Sequence, residues 1–188
     1  GGGTAAGLTG REIMGKTVGI IGTGRIGMIT AKLFLAFGAK VIAYSRTEKP
    51  EAKALGITYL PLADVMAQSD IVSIHTPNNA STCGLISAEM IALMKPTALL
   101  INCARGPIVD SAALAAALNE GRLAGAGVDV FNQEPPIPDS EPLLHARNAL
   151  LTPHIAFASQ ESMIRRARIV FQNIEAYLAG KPENVCQY

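Results

Sequence analysis

The run Val18-Gly19-Ile20-Ile21-Gly22-Thr23-Gly24-Arg25-Ile26-Gly27 constrains this chain more than any other stretch. A short apolar segment rich in β-branched residues reads as a buried strand, and it passes straight into G-x-G-x-x-G. Beyond it, Ile26, Ile29, Leu33, Phe34 and Phe37 recur at helical spacing, and Gly38 stands where a helix-ending glycine belongs. Between a strand and a helix the three glycines have separate physical tasks. Gly22 allows the tight turn, Gly24 lets the backbone approach a pyrophosphate, and Gly27 lets the helix pack close to the strand. The helix N-terminus then offers N–H groups and a positive dipole end to phosphates. The expectation is a dinucleotide site, weighed against an ordinary strand-to-helix turn.

The rest of the composition narrows the class. With 188 residues the chain is long enough for a domain with a proper core. A formal charge of +1 gives no sign of a nucleic-acid or membrane surface. Apolar runs are broken every few residues by Gly, Pro or a charge, so none has the length of a membrane span. No signal-peptide pattern opens the chain. Residues 1–10, beginning Gly1-Gly2-Gly3, read as a linker or an expression scar. Cys83, Cys103 and Cys186 have no ligand spacing, which predicts reduced thiols in a cytoplasmic protein and no metal site.

Along the chain, strand and helix patterns alternate, which predicts an α/β fold with a mostly parallel, doubly wound sheet. The second strand, Lys40-Val41-Ile42-Ala43-Tyr44, ends where the fingerprint expects an acidic residue for a ribose 2′-hydroxyl. Ser45 stands there instead, followed by Arg46. Serine does not repel a 2′-phosphate and Arg46 can pair with one, so the pattern leans slightly toward NADP over NAD. Further strands are expected over 57–60, 71–75, 98–102, 126–130 and 149–152. Helices are expected over 50–55, 62–68 and 87–94, from a cap at Asp110 or Ser111 to Gly121, and over 160–178. The Pro-rich stretch through Pro142 is expected to lack regular structure. In the last helix Met163, Ile164, Ala167, Val170, Phe171, Ile174 and Leu178 share one face, with Arg165, Arg166 and Arg168 on the solvated side.

Chemistry-bearing residues gather at strand ends. Thr76 and Pro77 close the fourth strand, and Thr76 is placed to touch cofactor. Arg105 lies one step beyond the fifth strand, Glu134 follows the sixth, and His154 follows the seventh. All fall on the edge that holds the glycine turn, where open α/β sheets bind ligands. Hydride transfer to a ketone needs a proton donor near neutrality, and histidine suits it. A carboxylate on the other ring nitrogen would set the tautomer, and a fixed arginine can hold a substrate carboxylate bidentately. Asp129, in an apolar stretch, needs partners for its carboxylate. His75 at a strand end reads more simply as structural.

Taken together, Gly15 to Gly27, His75-Thr76-Pro77, Asn102-Cys103-Ala104-Arg105-Gly106, Gly127-Val128-Asp129-Val130-Phe131 with Glu134-Pro135, and Pro153-His154 resemble the D-isomer-specific 2-hydroxyacid dehydrogenases. The resemblance implies an NAD(P)-dependent oxidoreductase acting on a small 2-hydroxy or 2-keto acid. In it Arg105 binds the substrate, His154 is the acid/base and Glu134 its partner. It also implies that Arg25, Ile26, Ser45, Thr76, Cys103, Ala104, Arg105, Asp129 and His154 contact the cofactor; Gly22, Gly24, Gly27, Arg46, Pro77 and Ala156 complete the expected cofactor site. Residues 11–159 are then a Rossmann domain of three α/β/α layers, and 160–188 belong to or pack on a substrate domain whose N-terminal part is absent from this chain. The resemblance further implies a homodimer. This chain departs from the family at Ser45 and in the stretch Ile155-Ala156-Phe157-Ala158-Ser159. Two other readings fit the glycine turn. One is a dinucleotide-sensing, corepressor-like binding module; the other is a different dinucleotide enzyme on the same sheet, against which the Arg–Glu–His order argues.

Overall fold

In the computed structural model, which describes residues 10–133 and 135–185, the apolar run ahead of the glycines forms β1 (Thr17–Ile21). Segment 1–9, with most of the expected linker, lies outside the described residues, as do Glu134 and Cys186. The chain separates into two compact units, Gly1–Pro153 and His154–Tyr188.

The first unit is organised on β1. Val18 and Ile20 join one buried cluster, with Met28, Ala31, Val41 and Ala43, while Ile21 joins a second, with Val65, Ile74, Leu100 and Leu114. Alternate side chains of one strand therefore enter two cores, the signature of a strand covered by helices on both faces. Beside it lie β2 (Lys40–Tyr44), β3 (Thr58–Tyr59), β4 (Ile71–Ile74), β5 (Leu99–Asn102), β6 (Gly125–Val128) and β7 (Ala149–Leu151). They form one seven-stranded sheet in the order β3-β2-β1-β4-β5-β6-β7, and every neighbouring pair is parallel. This is the doubly wound Rossmann arrangement. The strand order reverses between β1 and β4, and a crevice opens at such a switch point.

The crossover helices are α1 (Arg25–Ala36), α2 (Pro50–Ala54), α3 (Leu62–Gln68), α4 (Ala88–Ala92) and α5 (Ser111–Asn119). Two of them start on a side-chain cap. Ser87 accepts from the Met90 N–H at the head of α4, and Asp110 accepts from the Ala113 N–H at the head of α5. The apolar spacing in α1 marks a helix, and of the residues that mark it Phe34 packs against the core. Gly27, Met28 and Ala31 face the core, while Ile26, Ile29, Leu33 and Phe37 are exposed. Close packing of the helix on the strand requires a small residue at Gly27, while Met28, Phe34 and Leu35 pack into the adjoining cluster. Smaller differences concern segment ends, such as α4, which ends at Ala92. Pro142–His145 forms a 3₁₀ turn that begins on the last residue of the expected loop, capped by Glu141 accepting from the Leu143 N–H. β6 stops at Val128, so Asp129 follows the strand.

The second unit consists mainly of α6 (Gln160–Leu178). A reciprocal capping box opens it: Ser159 accepts from the Ser162 N–H, and Ser162 accepts from the Ser159 N–H. None of its residues is buried. Arg166, expected on the solvated side, stacks over the Phe157 ring at 5.6 Å. Among the described residues no helix is long and apolar enough to cross a membrane.

Candidate active site

A cleft of about 1030 Å³, counted with its open mouth, lies at the carboxyl ends of β1, β2 and β4. Its walls are the glycine turn (Gly22–Gly24), the segment Ser45-Arg46-Thr47 with Lys49, and His75-Thr76-Pro77 with Asn79, Ser81 and Thr82. It occupies the switch point of the sheet.

The glycine turn is built tightly at Gly22 and Gly27 and left open at Gly24. Gly22 has φ +95°, and a Cβ there would lie 2.8 Å from the Thr76 nitrogen. A Cβ on Gly27 would lie 2.0 Å from the Gly22 carbonyl oxygen, so α1 can approach only without one. At Gly24 a Cβ would meet nothing within 4 Å and would project into open space. Gly24 is also the N-cap of α1, and no carboxylate lies in the helix's first turn. The first N–H groups of a helix have no partner within it, so this end suits an anionic group. Bare backbone, helix dipole and free space fit a dinucleotide pyrophosphate.

The segment after β2 forms the second wall. Glu48 pairs with Lys53 at 2.5 Å, which offsets the segment's one carboxylate. Among the described residues neither Arg46 nor Lys49 forms an ion pair. The Lys49 N–H donates to the Tyr59 hydroxyl at 3.1 Å, and that hydroxyl donates to Thr23 Oγ1 at 2.8 Å. Thr23 is buried within the glycine turn.

The third wall holds itself together by short-range bonds. Asn79 Oδ1 accepts from the N–H and Oγ of Ser81, and Thr82 Oγ1 donates to the Pro77 carbonyl at 2.6 Å. His75 shares a 2.9 Å hydrogen bond with Ser73 Oγ, and burial holds its imidazole below the usual histidine range. Asn79, Ser81, Thr82, Thr23 and Tyr59 were not singled out by motif. The Asn-x-Ser spacing of an Asx turn was the one local signal for the first two.

Not all of the expected site residues line this cleft. Of the cofactor set, Gly22, Gly24, Ser45, Arg46, Thr76 and Pro77 line the cleft, whereas Arg25, Ile26, Gly27, Cys103, Ala104, Arg105 and Asp129 are not among its lining residues. Arg105 is exposed at the head of a 3₁₀ turn after β5 (Gly106–Ile108). Buried Asn102 shapes that turn: its Oδ1 accepts from the Ala104 N–H and its Nδ2 donates to the Arg105 carbonyl, each at 3.0 Å. The turn packs so closely on the segment after β6 that a Cβ on Gly106 would lie 2.0 Å from the Phe131 backbone. Asp129 is buried, and Thr152 Oγ1 donates to its carboxylate at 2.6 Å. Desolvation raises the Cys103 thiol above its usual range and the Asp129 charge adds to this, so Cys103 stays a neutral thiol. In the second unit His154 adopts φ +56°, and its ring meets Phe157 edge-on at 5.8 Å. Ala156 is exposed in the same unit.

Comparison with known proteins bears on this arrangement. The family profile of the D-isomer specific 2-hydroxyacid dehydrogenase NAD binding domain matches residues 3–156. A glyoxylate reductase of Korarchaeum cryptofilum is 42% identical over 180 residues, covering 95% of this chain and 54% of that protein. The chain thus spans about half the length of that curated relative. A D-lactate dehydrogenase from Sporolactobacillus sp. superposes with a TM-score of 0.86 at 41% identity, covering 95% of this chain and 57% of that one. An acyclic imino acid reductase, solved with NADPH and D-arginine, superposes with a TM-score of 0.83 at 36% identity, covering 94% and 55%. With a parallel sheet whose switch point carries an open glycine turn, and a matched profile spanning nearly all of the first unit, this chain belongs to the D-isomer specific 2-hydroxyacid dehydrogenases and carries their NAD-binding domain.

Proposed function

We propose that this chain is the cofactor-binding part of an NAD(P)-dependent oxidoreductase that reduces a small 2-keto acid to the D-2-hydroxy acid. The observation that carries the reading is Gly24, whose bare backbone opens into the cleft at the start of α1. The glyoxylate reductase and D-lactate dehydrogenase names of similar proteins support small 2-keto acids as the substrate class. NADP is favoured slightly over NAD. In support, Ser45 presents no charge to a 2′-phosphate, Glu48 is paired, and Arg46 and Lys49 line the cleft. Gly22, Gly24, Arg25, Ile26, Gly27, Ser45, Arg46, Thr76, Pro77, Cys103, Ala104, Arg105, Asp129, His154 and Ala156 make up the proposed cofactor site.

When bound, the nicotinamide supplies hydride to the carbonyl carbon. Arg105 holds the substrate carboxylate and polarises the ketone, because a guanidinium can form two parallel hydrogen bonds to a carboxylate. His154 gives its proton to the carbonyl oxygen as charge develops there. Glu134 accepts from the other ring nitrogen and favours the protonated imidazole. The protein works in the cytoplasm as a homodimer. The free thiols of Cys83 and Cys103 support a reducing compartment, and the exposed apolar row on α1 supports pairing of two copies.

The test is a steady-state screen of 2-keto acids on the protein that carries this chain, with NADH and NADPH run in parallel. His154→Gln is expected to lower kcat by roughly 10²- to 10⁴-fold, the usual contribution of general acid catalysis, with cofactor affinity far less changed. Near-normal turnover would remove His154 from the mechanism.

A further inference from the structure

We propose that the Tyr59 hydroxyl is a positioning residue for the cofactor: it sets the distance between the glycine turn and the wall formed by Ser45–Lys49, and so sets how the ribose 2′ position is read. The inference rests on the dinucleotide reading of the cleft. Three elements meet at one oxygen. Tyr59 belongs to β3, the edge strand beside β2. Its hydroxyl accepts from the Lys49 N–H at 3.1 Å and donates to Thr23 Oγ1 at 2.8 Å. Thr23 and Lys49 both line the cleft and Tyr59 does not, so the bridge stands behind the wall and acts through it.

The bridge is well placed to be rigid. The Tyr59 ring packs against the buried cluster that contains Val18, Ile20 and Val41, so the hydroxyl is carried by the sheet core. Thr23 is 1% exposed, and its oxygen has little access to water as an alternative partner. Lys49 is the N-cap of α2, so holding its N–H also holds the start of that helix. Arg46 and Lys49 sit on the tethered segment, and their distance from a ribose bound over the turn follows from the tether. A preset wall loses less entropy on binding than a loose one.

The experiment compares wild type with Tyr59→Phe in the 188-residue chain. Calorimetric dissociation constants are measured for NADH and NADPH, with melting curves as a folding control. The substitution keeps the ring and removes only the bridging oxygen. The expected result is that the ratio of the two affinities moves toward unity, by up to about 10-fold, the most that one lost hydrogen bond supplies. This shift is expected whichever cofactor the wild type favours. An unchanged ratio, with or without a lowered melting temperature, overturns the inference and leaves the dinucleotide reading standing. A wild-type ratio of one shows that the wall reads nothing at the 2′ position and also overturns the inference. Wild type that binds neither cofactor overturns both. Thr23→Val breaks the same bridge from its other end. Combined with Tyr59→Phe it is expected to shift the ratio no further than either change alone, and full additivity overturns the inference even where one variant folds poorly.

Discussion

Individual side chains here divide between those that shape the cleft and those that hold the opposite end of the sheet. Asp70, ahead of β4, belongs to the second group. Its Oδ2 accepts from the Thr17 N–H and its Oδ1 from Lys95 Nζ, at 2.8 and 2.9 Å. Burial pulls its carboxyl upward, but the Thr17 bond and the Lys95 ammonium outweigh it and hold the group below 3.8. A lowered folded value means stability that is fully present above pH 3.8 and lost as pH falls through the folded value. Asp70→Asn is therefore expected to cost about 1 kcal/mol near neutrality, a modest figure because Lys95 is partly solvated. Urea midpoints measured across pH should show the gap to wild type closing in acid. Cofactor affinity should stay constant, since this residue lies at the amino ends of the strands and the cleft at their carboxyl ends.

Among the elements, α5 shows how a local signal becomes a fixed boundary. Its nine residues are mostly alanine and leucine, good helix formers. Asp110 places its carboxylate on the Ala113 N–H at 2.9 Å. Leu114 and Leu118 then pack in the larger core cluster. Asp110→Ala should remove the cap and destabilise the first unit by about 1 kcal/mol, whereas Asp110→Ser should retain most of it. Thermal melts of the two variants against wild type check this, and equal melting of all three would show that the cap carries no stability. The same helix illustrates why caps are readable in advance: donor and acceptor lie three residues apart.

For the whole molecule, the consequential feature is apolar surface. Ile26, Ile29, Leu33 and Phe37 form an exposed row along α1, between 55% and 68% accessible. In the second unit Phe171 and Leu178 of α6 are 67% and 79% accessible. Rows of this kind favour association. Sedimentation of the chain over a range of concentrations is expected to show reversible self-association. Leu33→Lys with Phe37→Lys is expected to shift it toward monomer without loss of cofactor binding. A chain that stays monomeric throughout would show that α1 does not pair copies of it.

Much of this architecture was legible in the residues alone. The glycine turn, the alternation of strands and helices, the limits of α3 and α6 and the capped start of α5 all depend on neighbours within a few positions. Periodicity, propensity and capping act over that range and leave their mark in the sequence. What only the tertiary structure decided depends on partners far apart in the chain. Tyr59 meets Thr23 across 36 positions, and Thr17 meets Asp70 across 53. The buried side of α1 was decided by the elements it packs on: Gly27, Met28 and Ala31 are buried, while Ile26, Ile29, Leu33 and Phe37 stay exposed. A motif records which atoms must be near a ligand. The side chains that hold those atoms in place are chosen by the fold, through contacts that no local pattern encodes.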